Sequence, residues 1–228
     1  MNLCRSIALL SIVGSILVAT TVIKSKVEYT DSNGDLFEGV LARPANGTKM
    51  PGVLVLHAFG GRKEFEIERA VDLAKNGFVA LAADVYGKGI LGNTTEENFA
   101  LMRPLVEGDR SMLARRLQAS RDALANLDYV DETKLGAIGF CFGGLAALDM
   151  ARRNVAGLKA AVSFHGNPKP IPGAPLTAIE AGVQVHNGQA DVHIGGPEQI
   201  KEFYEEMNAR KADWMFIEHG FALHGFTE

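Results

Sequence analysis

Cys141 stands in the pentapeptide Gly139-Phe140-Cys141-Phe142-Gly143, and two later residues, Asp191 and His224, complete a set that could perform nucleophilic chemistry. A thiolate attacks an acyl carbon, an imidazole takes the thiol proton and later activates water, and a carboxylate fixes the imidazole tautomer. Each group needs the other two. Glycines two residues either side of Cys141 suit a sharp, strained turn whose neighbours must lack colliding side chains. A helix starting just beyond leaves the Phe142 N–H free to face an oxyanion, and its positive end favours a thiolate. The tripeptides His219-Gly220-Phe221 and His224-Gly225-Phe226 offer two candidates for the base. His219 follows a strand so closely that it reads as part of it, which favours His224.

The elements around these residues read as alternating strands and helices. Leu135, Ala137 and Ile138 suit a buried strand, and Leu145, Ala146, Leu148 and Met150 suit the inner face of the following helix. Earlier, Val27-Glu28-Tyr29-Thr30 and Leu36 to Leu41 flank an Asn33-Gly34 turn, a hairpin signature. Gly52 to Leu56 is an unbroken apolar run of the kind a central parallel strand shows, and it delivers His57-Ala58-Phe59-Gly60-Gly61. Ala58 or Phe59 is placed to donate a second oxyanion N–H, and His57 reads equally as a contact to substrate or thiol or as a satisfied structural group at the strand end. Helical spacing runs from Glu64 to Asn76, and a second buried strand from Phe78 to Ala83 leads to Asp84, read as a brace of its loop, and Tyr86 at the ligand-binding edge of a parallel sheet. Residues 90–108 read as a lid-like excursion and 109–127 as an amphipathic helix. Arg103 and Arg110, near that lid, are candidates for meeting an anionic substrate. Strands at 158–164, 183–186 and 212–217 follow, with a helix at 197–210, and these deliver His165, Asp191 and the histidines of the last loop.

Composition narrows the classes. With 23 basic and 27 acidic residues and no basic run, nucleic acid is excluded as an expected partner. Only Cys4 and Cys141 are present, so no structural disulfide and no paired-cysteine metal site is expected. His57, His165, His186, His193, His219 and His224 lack the spacing of a helical zinc motif, which argues against a metal-dependent hydrolase and leaves no cofactor expected. Residues 1–26 open with Arg5 and an apolar run from Ile7 to Ile23, the pattern of a secretory signal peptide or a membrane anchor, so export or membrane attachment is expected, with a cytoplasmic location if the leader does not function. One α/β domain is expected over residues 27–228.

The order nucleophile, acid, histidine is that of the α/β-hydrolase fold, a mostly parallel central sheet flanked by helices. The phrases PGVLVLHAFGG, GFVALAADVYGKG, GAIGFCFGG, AVSFHG, GQAD and ALHGFT, in this order, resemble the dienelactone hydrolase (carboxymethylenebutenolidase) family. The resemblance implies a Cys141, Asp191, His224 triad, with ALHGFT marking His224 as the base, and cleavage of a small ester or lactone through an acyl-cysteine. It also exposes three departures. Members usually carry a glutamate in the loop matched by His57-Ala58 and an arginine shortly after the catalytic histidine, where this chain has Glu228. They also continue into a closing helix, so the domain is expected to lack it. A non-catalytic relative that binds a small molecule or partner is the alternative reading.

Overall fold

The computed structural model describes residues 21–45 and 47–228. Eight strands form one sheet in the order β1-β2-β4-β3-β5-β6-β7-β8. β1 (Val22–Thr30) and β2 (Leu36–Pro44) make the expected hairpin, with Thr30 opposite Leu36. Its turn is closed by the Gly34 N–H to Asp31 O bond of 2.9 Å, with Gly34 at φ 85°, where a side chain would be strained. β2 then runs antiparallel to β4 (Val79–Ala83). From there the strands are parallel: β3 (Met50–Leu56) lies between β4 and β5 (Val130–Phe140), followed outward by β6 (Leu158–Phe164), β7 (Gly182–Gly188) and β8 (Trp214–His219). All carboxyl ends of the parallel strands therefore open on one edge, where an open α/β sheet binds ligands.

Helices cover the sheet because its central strands are apolar on both sides. α3 (Ser111–Ala125), α4 (Phe142–Arg152) and α5 (Gly196–Ala209) contribute Leu113, Leu117, Leu124, Leu148, Met150, Phe203 and Met207 to the larger core. α1 (Glu64–Lys75) packs Ala70 and Ala74 on the opposite face, against Val55, Ala80, Ala82 and Phe140. α2 (Thr95–Val106) is the excursion over the ligand edge, capped by Thr94 Oγ1 accepting from the Glu97 N–H at 3.2 Å.

Several boundaries differ from the sequence reading. β1 starts at Val22, inside the stretch expected to be leader, because Val22 to Lys26 pair with Pro44 to Val40 along β2. The rest of that leader, residues 1–20, lies outside the described residues. β5 starts at Val130 rather than Leu135, and β8 runs Trp214–His219 rather than 212–217, so His219 is part of the strand as its closeness to it suggested. Among the described residues no helix is long and apolar enough to cross a membrane.

Candidate active site

Strand β5 ends at Phe140 and helix α4 starts at Phe142, so Cys141 alone makes the corner, at φ 53° and ψ −114°. Such a backbone is strained for any residue but glycine and persists only where packing imposes it. The packing here is close on both sides. A Cβ on Gly139 would lie 1.9 Å from the Gly143 carbonyl oxygen, and one on Gly143 would lie 2.1 Å from the Leu56 oxygen. The two glycines therefore let the first turn of α4 press directly onto β5 and β3. The Cys141 carbonyl accepts from Gly144 N–H at 3.0 Å and Leu145 N–H at 3.3 Å, while Phe142, first in the helix, has its N–H ahead of the regular ladder. Cys141 is a free, partly exposed thiol.

Asp191 follows β7 and is 6% exposed. Its Oδ2 lies 2.7 Å from His224 Nδ1, and its Oδ1 accepts the His193 N–H at 2.8 Å. The His224 pKa is pushed up to about 9. A hydrogen bond with the Cys141 sulfur is the largest cause, burial opposes it, and the Asp191 hydrogen bond and the charges of both neighbours add to it. The rings of His165 and His193 stand edge-on to His224 at 5.0 and 4.9 Å. Cys141, Asp191 and His224 are thus brought together from three separate strand ends.

The loop after β3 completes one wall. Glu66 of α1, buried, accepts the Ala58 N–H through Oε1 at 3.4 Å and the Lys63 N–H through Oε2 at 2.8 Å. The Phe59 N–H has no acceptor among the described residues. The Phe59 carbonyl takes the Tyr86 hydroxyl at 2.8 Å, and its ring packs on Phe99 of α2 at 5.2 Å, so the excursion does reach the site's edge. Asp84 braces the neighbouring loop as expected, its Oδ1 accepting from Tyr86 N–H at 2.9 Å and Gly87 N–H at 3.0 Å.

The four residues expected to meet substrate are placed as follows. His57 is fully buried; its Nδ1 donates to Ala58 O at 2.7 Å and its Nε2 accepts from Val85 N–H at 3.3 Å, so it buttresses the wall from behind. Burial holds its pKa low and the ring neutral. Tyr86 is 3% exposed and stacks on Phe142, and burial followed by the charge at Cys141 raises its pKa. His165 is fully buried beneath the elbow. Arg103 points to solvent beside Glu107, at 3.9 Å. Arg110 also departs from expectation, being buried with its Nη1 donating to both Asp149 carboxylate oxygens at 2.9 and 3.1 Å. His219 bonds His186 (Nε2 to Nδ1, 3.1 Å) rather than Asp191. Sequence reasoning missed Glu66, His193 and Thr227 as supports, since each acts through a neighbour and carries no motif of its own. Among the described residues no group of three or more His, Cys, Asp or Glu could hold a metal ion.

Comparison with known proteins decides the family. The dienelactone hydrolase family model matches residues 37–228. The chain belongs to the dienelactone hydrolase family. Membership places it among the carboxylic ester hydrolases with an α/β-hydrolase fold. A Bradyrhizobium protein named as a probable 2-oxo-3-(5-oxofuran-2-ylidene)propanoate lactonase is 29% identical over 211 residues, covering 86% of this chain and 82% of its own length. An uncharacterized Caenorhabditis elegans protein is 47% identical over 117 residues, or 51% of this chain and 73% of that one. The crystal structure of a dienelactone hydrolase-like promiscuous phosphotriesterase from metagenomic libraries superposes with a TM-score of 0.85 at 34% identity, covering 91% of this chain and 85% of its own.

Proposed function

We propose that this dienelactone hydrolase family member cleaves a small ester or lactone with Cys141 as nucleophile, His224 as base and Asp191 as the group that orients the base. The observation that carries the reading is His224 itself: one ring nitrogen held by Asp191 at 2.7 Å, and its positive charge favoured by the Cys141 sulfur. The thiolate attacks the acyl carbon, forming a C–S bond. The oxyanion is met by the Phe142 N–H at the positive end of α4 and by an N–H of the Ala58-Phe59 loop. Phe59 is the freer of those two, since the Ala58 N–H is directed to Glu66. His224 returns its proton to the leaving alkoxide, then takes one from water, whose oxygen displaces the thiolate and releases the acid.

A thiolate is a good leaving group, so activated acyl groups such as lactones and enol esters suit this site better than amides. The lactonase name of the Bradyrhizobium relative agrees with that substrate class. Steady-state hydrolysis of p-nitrophenyl acetate tests the reading. Wild type should turn over and lose activity on stoichiometric alkylation by iodoacetamide, and Cys141→Ala should be inactive. Equal turnover by Cys141→Ala would remove the nucleophile from the mechanism.

A further inference from the structure

We propose that His165 is a positioning residue that ties the nucleophile elbow to the loop carrying His224 and so sets the spacing between thiol and imidazole. This rests on the reading of Cys141 and His224 as nucleophile and base. His165 is the first residue after β6 and stands at φ 41°, a conformation uncommon for a residue other than glycine. Its backbone is held there by an N–H bond to His186 O at 2.7 Å. The imidazole is fully buried and both its nitrogens are used. Nδ1 accepts the Cys141 N–H at 3.1 Å, a hydrogen that Phe164 O shares at 3.0 Å, and this leaves the ring hydrogen on Nε2, 2.8 Å from Thr227 Oγ1. One rigid ring therefore bonds the backbone of the nucleophile on one side and the loop of the base on the other.

The loop makes this tie consequential. Ahead of His224 it is anchored by Gln189 N–H to His219 O at 2.9 Å and Ala190 N–H to Ala222 O at 3.0 Å, and His224 itself is held by Asp191. Beyond His224, the Thr227 bond to His165 is the one hydrogen bond, among the described residues, that joins the segment to another element. Packing reinforces it: the His165 ring lies edge-on to His224 at 5.0 Å and to Phe226 at 5.6 Å. Burial, with the nearby His224 charge second, pushes the His165 pKa to about 4, so the ring keeps the neutral tautomer these two bonds require. A substrate contact would need a free nitrogen facing the pocket, and His165 has none.

His165→Asn, Thr227→Val and the double variant test the proposal by two readouts: kcat and KM for p-nitrophenyl acetate, and the pH profile of Cys141 alkylation by iodoacetamide. Asn tolerates the left-handed backbone but cannot span to Thr227. Each single variant should lower kcat by about 10- to 100-fold, the cost of misplacing a reacting group by up to an ångström. KM should stay within about two-fold, since the substrate contacts remain. Labelling of Cys141 at neutral pH should slow as the thiol loses its alignment with His224. The double variant should be no worse than His165→Asn alone, because both remove the same tie. Additive losses, or a Thr227→Val protein with wild-type kcat and alkylation profile, would overturn the proposal. If His165→Asn fails to fold, Thr227→Val decides. If wild type does not hydrolyse the ester, the hydrolase reading fails, and the alkylation profiles still report whether the tie exists.

Discussion

Gly139→Ala is expected to disable this enzyme although it adds one methyl group outside the triad. The new Cβ would lie 1.9 Å from the Gly143 oxygen and 2.2 Å from its carbonyl carbon, both backbone atoms of the first turn of α4. Reaching even a tight 3.0 Å contact requires an opening of about 1.1 Å between β5 and that turn. No flexible side chain can absorb it. The movement falls on Cys141 and Phe142, and a shift of about 1 Å at reacting groups costs on the order of 100-fold in rate. Overpacking of this kind also costs about 1–3 kcal/mol, or roughly 3–10 °C in Tm for a domain of this size. The matched control is Gly136→Ala on the same strand, whose Cβ would meet Val53 Cγ2 at 3.7 Å, an ordinary contact. Ester hydrolysis and thermal melts of both variants provide the assay. If Gly139→Ala keeps wild-type kcat/KM and Tm, or if Gly136→Ala is equally damaged, the claim that glycine at the elbow sets the position of the nucleophile is refuted.

Asp191→Asn keeps the shape beside His224 but lets an amide hydrogen face Nδ1; kcat should fall by about 10³- to 10⁴-fold through the wrong tautomer, measured on p-nitrophenyl acetate. Glu206→Ala should destabilise by about 3–5 kcal/mol, since it removes the carboxylate partner of buried Arg210 and one of the two carboxylates held by buried Arg152, which keeps Asp149, and urea unfolding would measure it. His224 has its pKa raised from 6.5 to about 9, so its contribution to stability is full below pH 6.5 and is lost as pH rises through about 9. The Tm difference between wild type and His224→Ala should therefore be constant in mild acid and shrink across that alkaline window; a difference that grew with pH would contradict the sign.

The candidate site's skeleton was legible because the chemistry proposed for it constrains the chain locally. A strained nucleophile corner needs glycines at fixed offsets, and Gly139 and Gly143 proved to be contacts no side chain could share. The order of Cys141, Asp191 and His224 along alternating elements likewise follows from strand ends sharing one sheet edge. What the sequence hid were choices made by tertiary packing. A histidine after a strand looks the same whether it faces substrate or is buried, and His57 and His165 are both buried with every ring nitrogen engaged. Arg110 reads as a substrate-facing charge beside the lid until α4 brings Asp149 against it. β1 was cut short because Val22 and Ile23 continue the apolar run of the preceding segment, while an edge strand buries too few residues to show a clear alternation. Asp131 to Lys134, polar and largely exposed, gave no apolar pattern to extend β5 backward.

The central claim is a covalent acyl group on Cys141, and its most direct measurement is the intact mass of His224→Ala after brief exposure to p-nitrophenyl acetate, with the modified peptide then sequenced. One acetyl group per chain, located on Cys141 and persisting because deacylation lacks its base, is the expected result. A Cys141 left unmodified both in His224→Ala and in wild type quenched with acid during turnover, or an acetyl group that forms equally on Cys141→Ala, would contradict the account.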